Sequence, residues 1–340
     1  MRLLQAMAGA EFGGAEAFFM RLAAAFAKVG VEQRIVIRGN ERRAASLQKS
    51  GIEPVQLPFG GPIDIYTPFM LRRAIEAFRP DVVLTWMNRA TAACPRGNFV
   101  HVARMGGYYD LKYYQKCDHI IGNTVDIVDY CVRENWRPDR VHYLPNFVSA
   151  ERMEPARRDQ LYRPKGAPLI LAMGRLHKNK AFDVLLQALT RVPDAYLWLA
   201  GEGPLRQELE ELAQRLAVKP RVRFLGWRDD TAALLAACDV LVCPSRHEPL
   251  GNAVIEAWAQ GVPVVAADSL GPGTLIENMK SGILVPVDEP EQLGRALRGV
   301  LEDRVLAARI AENGRAAFQE RFTEEVVVAR YLEFFEKVMP

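Results

Sequence analysis

Two glutamates, Glu248 and Glu256, stand close together in the stretch SRHEPLGNAVIEAWAQGVPVVAADSLGPGTLI, and both are able to bind polar groups of a ligand. Pro249 disfavours helix for the residue before it, so we expect the Glu248 carboxylate to stand at the end of a strand. Asn252 is a good N-cap for a helix that runs to about Gln260. Glu256 then lies one turn into that helix, where its carboxylate can accept hydrogen bonds from sugar hydroxyls.

The start of this predicted helix suits an anion. A helix N-terminus presents unpaired N–H donors and about half a positive charge. Gly251 allows close approach of the backbone, and the amides of Gly251, Asn252 and Ala253 would face whatever Glu248 faces. A diphosphate fits such a site, and Gly261 is expected to end the helix.

Two other interpretations of the glutamate pair stay open. The carboxylates of Glu248 and Glu256 would serve as a general acid and base in a glycoside hydrolase. The neighbouring anion site argues against this, because hydrolysis needs a water-filled cleft. In the simplest interpretation, Glu248 caps a turn and Glu256 is a solvated helix residue.

Two cations follow an earlier predicted strand. In MGRLHKNKAFDVLL the strand ends at Gly174, Arg175 comes directly after it, and Lys180 stands at the entry of the next helix. The planar fork of Arg holds phosphate oxygens and Lys adds a point charge, so the pair would stabilise a departing diphosphate. Alone they would be ordinary surface cations; their position in the same half of the chain as Glu248 favours a site.

Further glycines close the next two predicted strands, in LAGEGPL and FLGWRDD. Gly201 and Gly203 would let a flat base or ribose lie against the backbone. Trp227, which follows the second of these strands, is a further candidate for the donor site. Each motif is weak when taken singly.

The N-terminal half has its own glycine pair. GAEFGGAEAF places Gly13 and Gly14 between the first strand and a helix that begins near Ala15. The spacing is not G-x-G-x-x-G, so a dinucleotide fingerprint is not supported. The pair would still present amides to a phosphate, with Gly14 assigned to the donor and Gly13 to the acceptor. The alternative is a tight turn between strand and helix.

The stretch GGYYDLKYYQK interleaves tyrosines with lysines. Tyrosines stack on sugar rings and lysines pair with phosphate or carboxylate, so Tyr108, Tyr109 and Lys112 are candidates for an acceptor surface. The alternative is an exposed helix with half-buried tyrosines. His101, in the preceding strand, is interpreted as a core residue rather than a catalytic one.

Short apolar runs alternate with segments of helical period, as in a parallel sheet with crossover helices. The alternation restarts after the charged stretch Glu151–Pro168, which we interpret as a linker. The predicted fold is α/β, with two Rossmann-like doubly wound domains that face a cleft and bind ligands at the carboxyl ends of their strands. The domains are predicted at 1–155 and 165–320, with an amphipathic helix at about 322–340.

Length and composition exclude several classes of protein. A chain of 340 residues with 49% apolar residues fits two domains with real cores. Residues 1–160 hold 22 Lys and Arg against 17 Asp and Glu, an excess too diffuse for nucleic acid but compatible with an anionic membrane surface.

The five cysteines and five histidines show no ligand spacing, so no metal is expected. No signal peptide or spanning segment is found, so we expect a cytoplasmic protein, at most peripheral on the membrane.

Taken together, these motifs resemble those of the GT-B glycosyltransferases, specifically the retaining family numbered four, over nearly the whole chain. The most specific match is the E-x7-E element, here Glu248 to Glu256, supported by Arg175 and Lys180 at the positions of a diphosphate-binding pair. The resemblance implies that Glu248 contacts the hydroxyls of the donor sugar, that Glu256 binds the ribose, and that the two cations bind the diphosphate. It also implies that the acceptor binds the N-terminal domain, that the last helix crosses back onto that domain, and that the domains close over the substrates.

The activity that the resemblance implies is transfer of a sugar, with retention and without a metal, from a nucleotide-diphosphate donor such as a UDP-sugar. The implied acceptor is a saccharide or glycolipid of cell-envelope polysaccharide or lipopolysaccharide. Many relatives carry a histidine where this chain has Met105 and Gly106. Two alternatives stay open: a GT-B epimerase or phosphorylase, and a non-catalytic module that binds a sugar nucleotide. The donor base and sugar, the acceptor and the oligomeric state are not encoded by any motif.

Overall fold

A computed structural model describes residues 1–11, 13–61, 63–157, 164 and 166–339. The chain forms two compact units, each with its own core. The N-terminal unit comprises Met1–Asn146 together with Glu324–Pro340, and the C-terminal unit comprises Phe147–Thr323. Among the described helices, none is long and apolar enough to cross a lipid bilayer.

The N-terminal unit is built on a seven-stranded sheet whose strands pair in parallel, in the order β3-β2-β1-β4-β5-β6-β7. Its strands are β1 Arg2–Met7, β2 Glu32–Arg38, β3 Val55–Leu57, β4 Val82–Trp86, β5 Val100–Met105, β6 His119–Gly122 and β7 Val141–Tyr143. The helices between them are α1 Gly14–Lys28, α2 Glu41–Lys49, α3 Tyr66–Phe78, α4 Met87–Ala93 and α5 Val125–Arg133.

Helix α1 shows why these segments fold as they do. Its apolar residues recur at helical spacing, so that Phe19, Leu22 and Phe26 all face the core and are fully buried. The ring of Phe19 meets Trp86, the last residue of β4, edge to face at 5.4 Å between centroids. The helix that crosses from β1 to β2 therefore also covers β4.

The C-terminal unit repeats this architecture with a six-stranded sheet in the order β10-β9-β8-β11-β12-β13. Its strands are β8 Leu169–Met173, β9 Tyr196–Ala200, β10 Val222–Gly226, β11 Val240–Cys243, β12 Val264–Ala267 and β13 Ile283–Val285. Its helices are α6 Phe182–Leu189, α7 Arg206–Arg215, α8 Thr231–Ala237, α9 Asn252–Gln260, α10 Leu270–Leu275, α11 Pro290–Glu302 and α12 Arg304–Arg321.

In each sheet the order of strands reverses at one place, between β1 and β4 and between β8 and β11. The chain leaves these neighbouring strands in opposite directions, which opens a crevice at their carboxyl ends, where ligands bind in doubly wound sheets. The two Rossmann-like units predicted from the alternation of strands and helices are confirmed.

The last helix, α13 (Glu324–Val338), belongs to the N-terminal unit. Phe26 of α1 contacts both Tyr331 and Phe335 of α13, with ring centroids 5.9 and 6.0 Å apart. The side chain of Arg104 on β5 donates a hydrogen bond to the hydroxyl of Tyr331 at 2.9 Å. The helix predicted at about 322–340 thus forms part of the core that the first strands build.

The boundary between the units differs from the predicted one. The stretch interpreted as a linker begins at Glu151, but the backbone amide of Ala156 donates to the carbonyl of Ala233 at 2.9 Å, and Met153 donates to Gln260 at 3.1 Å. The C-terminal unit already begins at Phe147, because Val148 is 2% exposed within its core. Of the rest of the predicted linker, residues 158–163 and 165 lie outside the described residues.

Candidate functional site

The structure brings Lys180 and Glu248 together at the crevice of the C-terminal unit. Lys180 ends a short 3-10 turn after β8, and Glu248 lies in the loop after β11, the strand that pairs with β8. The Lys180 ammonium donates a hydrogen bond to the Glu248 carboxylate. The two side chains are only 25% and 14% exposed, so water screens this ion pair little.

The charge of Lys180 is secured by this pairing. Burial acts to lower the pKa of Lys180, but the Glu248 carboxylate outweighs it and the pKa of Lys180 lies above its ordinary value. Lys180 is therefore a cation throughout the physiological range of pH. It provides a fixed positive charge at the point where the strand order reverses.

Gly174 makes room for the lysine. Its φ of 146° lies in a region that favours glycine, and a Cβ there would lie 3.2 Å from Cε of Lys180. Arg175, the next residue, is exposed and has no hydrogen-bond or ion-pair partner among residues 166–339. Its guanidinium is available to a ligand at the same strand end.

Gly201 and Gly203 are explained by contacts between loops. A Cβ at Gly201 would overlap the carbonyl oxygen of Gly174, and one at Gly203 would overlap that of Leu176. The amide of Gly201 also donates to the carbonyl of Gly226 at 2.7 Å. These glycines let the loops after β8, β9 and β10 pack backbone to backbone, and contact with a donor remains a prediction for them.

Trp227 follows β10 and its side chain is 72% exposed. An indole this exposed leaves an apolar face uncovered, which is the kind of surface on which a planar ring stacks. Whether it contacts a donor remains a prediction.

Helix α9 begins differently from the prediction. Gly251, not Asn252, is its N-cap, with φ of 80°, and no side chain caps the helix. The carbonyl of Gly251 accepts from the amide of Val254 at 2.9 Å, and Asn252 and Ala253 are the first two helical residues. Only glycine adopts this left-handed conformation without strain, which is why the cap moved by one residue. Glu256 lies one turn further on and is half-buried.

Arg246, which the sequence analysis did not single out, holds the loop that carries Glu248. Its guanidinium forms a bidentate pair with Asp183 in the first turn of α6, at 2.9 and 2.6 Å, and a third contact with Asp288 at 2.6 Å. It also donates to the carbonyl of Lys178 at 2.9 Å. Burial raises the pKa of Asp183, but the bonds from Arg246 outweigh this and leave it below its ordinary value.

Two small residues on neighbouring loops also support Glu248. The hydroxyl of Ser245, which is 1% exposed, donates to the Glu248 carboxylate at 3.4 Å. The amide of Gly271, after β12, donates to the backbone carbonyl of Glu248 at 2.7 Å, and a Cβ on Gly271 would lie 2.6 Å from that oxygen. Gly271 is therefore restricted to glycine by close backbone approach, a requirement that the spacing of residues along the chain does not show.

In the N-terminal unit, the turn after β1 is occupied by a carboxylate. Glu16 is 6% exposed and accepts a hydrogen bond from the amide of Ala10 at 2.7 Å. A Cβ at Gly9 or Gly13 would overlap its carboxylate oxygens. Gly13 is the N-cap of α1 and Gly14 its first residue. The guanidinium of Arg43 donates to the carbonyl of Ala10 in the same turn, so a cation lies near this carboxylate. Binding of a phosphate at Gly14 remains a prediction.

The tyrosine-rich stretch is not a helix, so that alternative is wrong. Residues Leu111–Tyr113 form a single 3-10 turn. Tyr108 hydrogen-bonds Asp126, and Lys112 pairs with Asp110 at 2.6 Å. Both side chains have partners within this stretch or on α5, and an acceptor surface formed by Tyr108, Tyr109 and Lys112 remains a prediction.

Tyr109 and Lys112 point to different places. The hydroxyl of Tyr109 donates to the sulfur of Met87, which follows β4, at 3.5 Å. Burial, and then the charge of Glu16, raises the pKa of Tyr109. Lys112 instead lines a hollow of about 550 Å³ with Asp118 and Arg140, residues that precede β6 and β7. Lys112 therefore lies towards the amino end of the sheet, away from Gly13.

His101 is a core residue. It is 3% exposed, and its ring hydrogen-bonds the hydroxyl of Thr85 at 3.0 Å. Burial lowers the pKa of His101 to about 4, so the ring is neutral near pH 7. Across the described residues, no three His, Cys, Asp or Glu side chains come together in the way a metal site needs.

Known protein families and individual proteins are similar to this chain in sequence. The family described as Glycosyltransferase Family 4 matches residues 12–152, and Glycosyl transferases group 1 matches residues 153–317. The lipopolysaccharide core biosynthesis glycosyltransferase LpsE of Rhizobium meliloti (strain 1021) is 36% identical over 330 residues, covering 94% of this chain and 95% of LpsE. The chain belongs to the group 1 glycosyltransferases. LpsD of the same organism, another lipopolysaccharide core biosynthesis glycosyltransferase, is 31% identical over an alignment of 345 positions that covers 99% of this chain and 98% of LpsD.

The glycosyltransferase has the GT-B fold. The Anabaena protein HepE, solved in complex with UDP-glucose, superposes with a TM-score of 0.83 at 20% identity and covers 99% of this chain and 100% of its own. This likeness establishes the fold.

Proposed function

We propose that this glycosyltransferase transfers a hexose from a UDP-sugar to a saccharide or glycolipid acceptor of the lipopolysaccharide core. The observation that carries the proposal is the Lys180 and Glu248 ion pair at the crevice after β8 and β11, with Arg175 at the same strand end, exposed and without a partner among residues 166–339. Support for the acceptor class comes from LpsE and LpsD, both described as lipopolysaccharide core biosynthesis glycosyltransferases. Support for the UDP-sugar comes from HepE, solved with UDP-glucose.

In the proposed mechanism, Arg175 and Lys180 bind the diphosphate and the first amides of α9 assist them. As the bond between the anomeric carbon and the diphosphate oxygen breaks, negative charge grows on the leaving group and these fixed charges stabilise it. Glu248 accepts hydrogen bonds from hydroxyls of the donor sugar, and Glu256 accepts them from the ribose. Both carboxylates then serve to orient the donor rather than to form a covalent intermediate.

The acceptor hydroxyl attacks the anomeric carbon from the face that the diphosphate leaves, so the configuration is retained. Its proton passes to an oxygen of the departing diphosphate. Since Arg175 and Lys180 already provide positive charge for the leaving group, we propose that the reaction needs no resident metal. The expected observation is that transfer continues at its full rate in the presence of EDTA.

The test uses purified protein, a panel of UDP-, GDP- and ADP-sugars, and lipopolysaccharide core acceptors that lack terminal sugars. Glu248→Gln, Glu256→Gln and Arg175→Met are compared with Glu208→Gln and Arg309→Met, which change exposed residues on α7 and α12. We expect loss of transfer in the first group alone, with donor binding weakened by Glu256→Gln and Arg175→Met. Transfer that survives both Glu248→Gln and Glu256→Gln would rule out the proposed site.

Product analysis separates the alternatives. An epimerase changes the nucleotide sugar with no acceptor present, and a phosphorylase needs inorganic phosphate. A binding module holds the sugar nucleotide without turnover on any acceptor. We further propose that the enzyme works on the cytoplasmic face of a membrane, since a glycolipid acceptor would be anchored there.

A further inference from the structure

Four large apolar side chains stand out into solvent within one short segment of the N-terminal unit. Ile63 is 93% exposed, Ile65 86%, Tyr66 54% and Phe69 56%. They lie on the connection from β3 to α3 and on the first turn of α3. We call these four residues the apolar tip. A cluster of this kind on a protein surface marks a contact with another molecule or with a membrane.

Hydrogen bonds between described residues on either side of the apolar tip fix its position. The Asp64 carboxylate accepts hydrogen bonds from the amides of Gly60 at 2.7 Å and Thr67 at 2.9 Å. The Thr67 hydroxyl in turn accepts from the amide of Phe59 at 3.0 Å. Phe59, unlike the tip, is 2% exposed and anchors the segment in the core. The turn therefore buries one aromatic ring and presents two isoleucines to the outside.

Arginines surround the apolar tip. Arg72 and Arg73 are exposed on the next turn of α3, and the guanidinium of Arg73 lies 6.0 Å from the ring of Phe69. Arg89, also exposed, donates to the carbonyl of Phe59 at 3.4 Å, at the base of the turn. Asp64 is the one acidic residue between positions 60 and 73, and its carboxylate is already bonded within the turn.

We propose that the apolar tip inserts into the interface of an anionic lipid bilayer, with Arg72, Arg73 and Arg89 among the headgroups. Exposed apolar side chains with arginines nearby match the apolar and anionic layers of such an interface, and a tyrosine suits the boundary between them. A protein partner of matching charge would have to supply an acidic rim around an apolar pocket. The purpose of the contact, access to a membrane-anchored acceptor, rests on the proposed function, but lipid binding does not.

Vesicle sedimentation tests the inference directly. Wild-type protein is mixed with vesicles of phosphatidylcholine alone and with vesicles in which about one quarter is phosphatidylglycerol. We expect binding to the anionic vesicles that weakens as salt rises. The double variant Ile63→Ser/Ile65→Ser should lose at least tenfold in partitioning at every salt concentration. Val305→Ser, which changes a 79% exposed valine on α12, is the matched control and should bind as wild type does.

Variants that remove positive charge distinguish the contribution of the arginines to vesicle binding from that of the apolar tip. Arg72→Gln/Arg73→Gln should weaken binding to anionic vesicles by roughly thirtyfold and reduce the salt dependence, since two arginines near such a surface together contribute about 2 kcal/mol. Arg79→Gln, at the other end of α3 and away from the apolar tip, should have little effect. An equal loss of vesicle binding for Arg79→Gln and for Arg72→Gln/Arg73→Gln would overturn the assignment of membrane binding to the N-terminal end of α3.

Insertion is distinguished from simple attraction by a fluorescent probe. All five native cysteines are buried, so Ile63→Cys can be labelled selectively with an environment-sensitive dye. A blue shift on addition of anionic vesicles, absent for dye on Val305→Cys, supports insertion of the tip. No shift, or vesicle binding that the isoleucine variants leave unchanged, overturns the proposal.

An assay of sugar transfer to a water-soluble acceptor tests the proposed function independently of membrane binding. The isoleucine variants should transfer to a soluble core saccharide at the wild-type rate and lose activity only on acceptor embedded in vesicles. If transfer fails for wild type while vesicle binding follows the apolar tip, the membrane contact stands and the proposed function fails. If the variants instead change the oligomeric state in light scattering, the tip is a protein contact and the proposal is wrong.

Discussion

The ammonium of Lys180 hydrogen-bonds the carboxylate of Glu248 although 68 residues separate them along the chain. They meet because β8 and β11 are neighbours in the sheet, and both loops leave the same edge. A cation and a carboxylate are thereby placed side by side where the strand order reverses, which is where ligands bind in doubly wound sheets. The pairing also keeps either charge from standing alone in a partly buried place.

Breaking this ion pair should reduce stability, and removing both partners should restore part of it. Lys180→Met or Glu248→Gln leaves the other charge unpaired, which we expect to cost about 1 to 2 kcal/mol at this degree of exposure. The double variant should be less destabilised than the sum of the two single variants by about half of that sum, while sugar transfer stays abolished. Urea denaturation of the four proteins measures this coupling. If the losses in the free energy of unfolding were strictly additive, the two side chains would not interact in solution.

Arg246 acts as a positioning residue, since its contacts go to Asp183, Asp288 and the carbonyl of Lys178. Arg246→Lys keeps the charge but loses the bidentate fork. We expect kcat to fall by roughly tenfold through loss of positioning, with little change in the donor KM. Steady-state kinetics and thermal unfolding distinguish this from general destabilisation. Arg309→Lys is the matched control, and a melting point that falls with no change in kcat would refute the assignment.

Gly201 should not tolerate a side chain. Its φ is 144° and a Cβ would overlap the carbonyl oxygen of Gly174, so Gly201→Ala is expected to cost about 2 to 4 kcal/mol. Gly299→Ala is the control, because no atom lies within 4 Å of its Cβ and the position is inside α11. That change should stabilise the protein by up to about 1 kcal/mol. Chemical denaturation of both variants gives the comparison, and a neutral Gly201→Ala would contradict the loop packing.

Stability of the N-terminal unit should fall in mild acid. Burial lowers the pKa of His101 to about 4, below the ordinary value of about 6.5 that it takes in the unfolded chain. Between these values the unfolded state binds more protons, so stability is complete above about pH 6.5 and is lost as pH falls towards 4. The loss from His101 alone amounts to about 3 kcal/mol.

This effect can be measured by urea denaturation between pH 7 and pH 4, with His101→Gln as the diagnostic variant. His101→Gln should show a shallower dependence of stability on pH than wild type, whatever its absolute stability. His177→Gln, which changes an exposed residue, should show the wild-type dependence. The pKa of His142 is also lowered by burial, to about 4, so some dependence remains in every variant. An unchanged slope for His101→Gln would overturn this prediction.

Much of the fold followed from local pattern. The apolar runs and helical periods predicted both doubly wound sheets. Gly174 and Arg175 directly follow β8 and Lys180 stands just before α6, as predicted, whereas Glu248 lies five residues beyond the end of β11 rather than at the strand end. The predictions that proved wrong concern segments in which several local conformations are nearly equal in energy. Asn252 is a good cap by propensity, but Gly251 takes that place with a left-handed φ of 80°, a conformation that glycine adopts at no steric cost. The stretch after Glu151 has the composition of a linker, yet packing of Val148 draws this part of the chain onto the C-terminal unit.

The sequence by itself determined which segments become buried strands and which become helices, because periodicity and glycine placement act within a few residues. Only the tertiary structure decided which strand ends are neighbours, and so that Lys180 meets Glu248, that Arg246 joins Asp183 to Asp288, and that Gly201 lies against Gly174. It also decided that Ile63 and Ile65 face solvent, although their side chains are as apolar as those of the core. The physical reason is that contacts between distant segments, and the burial they create, depend on how the sheets close and pack, and local preference carries no record of this.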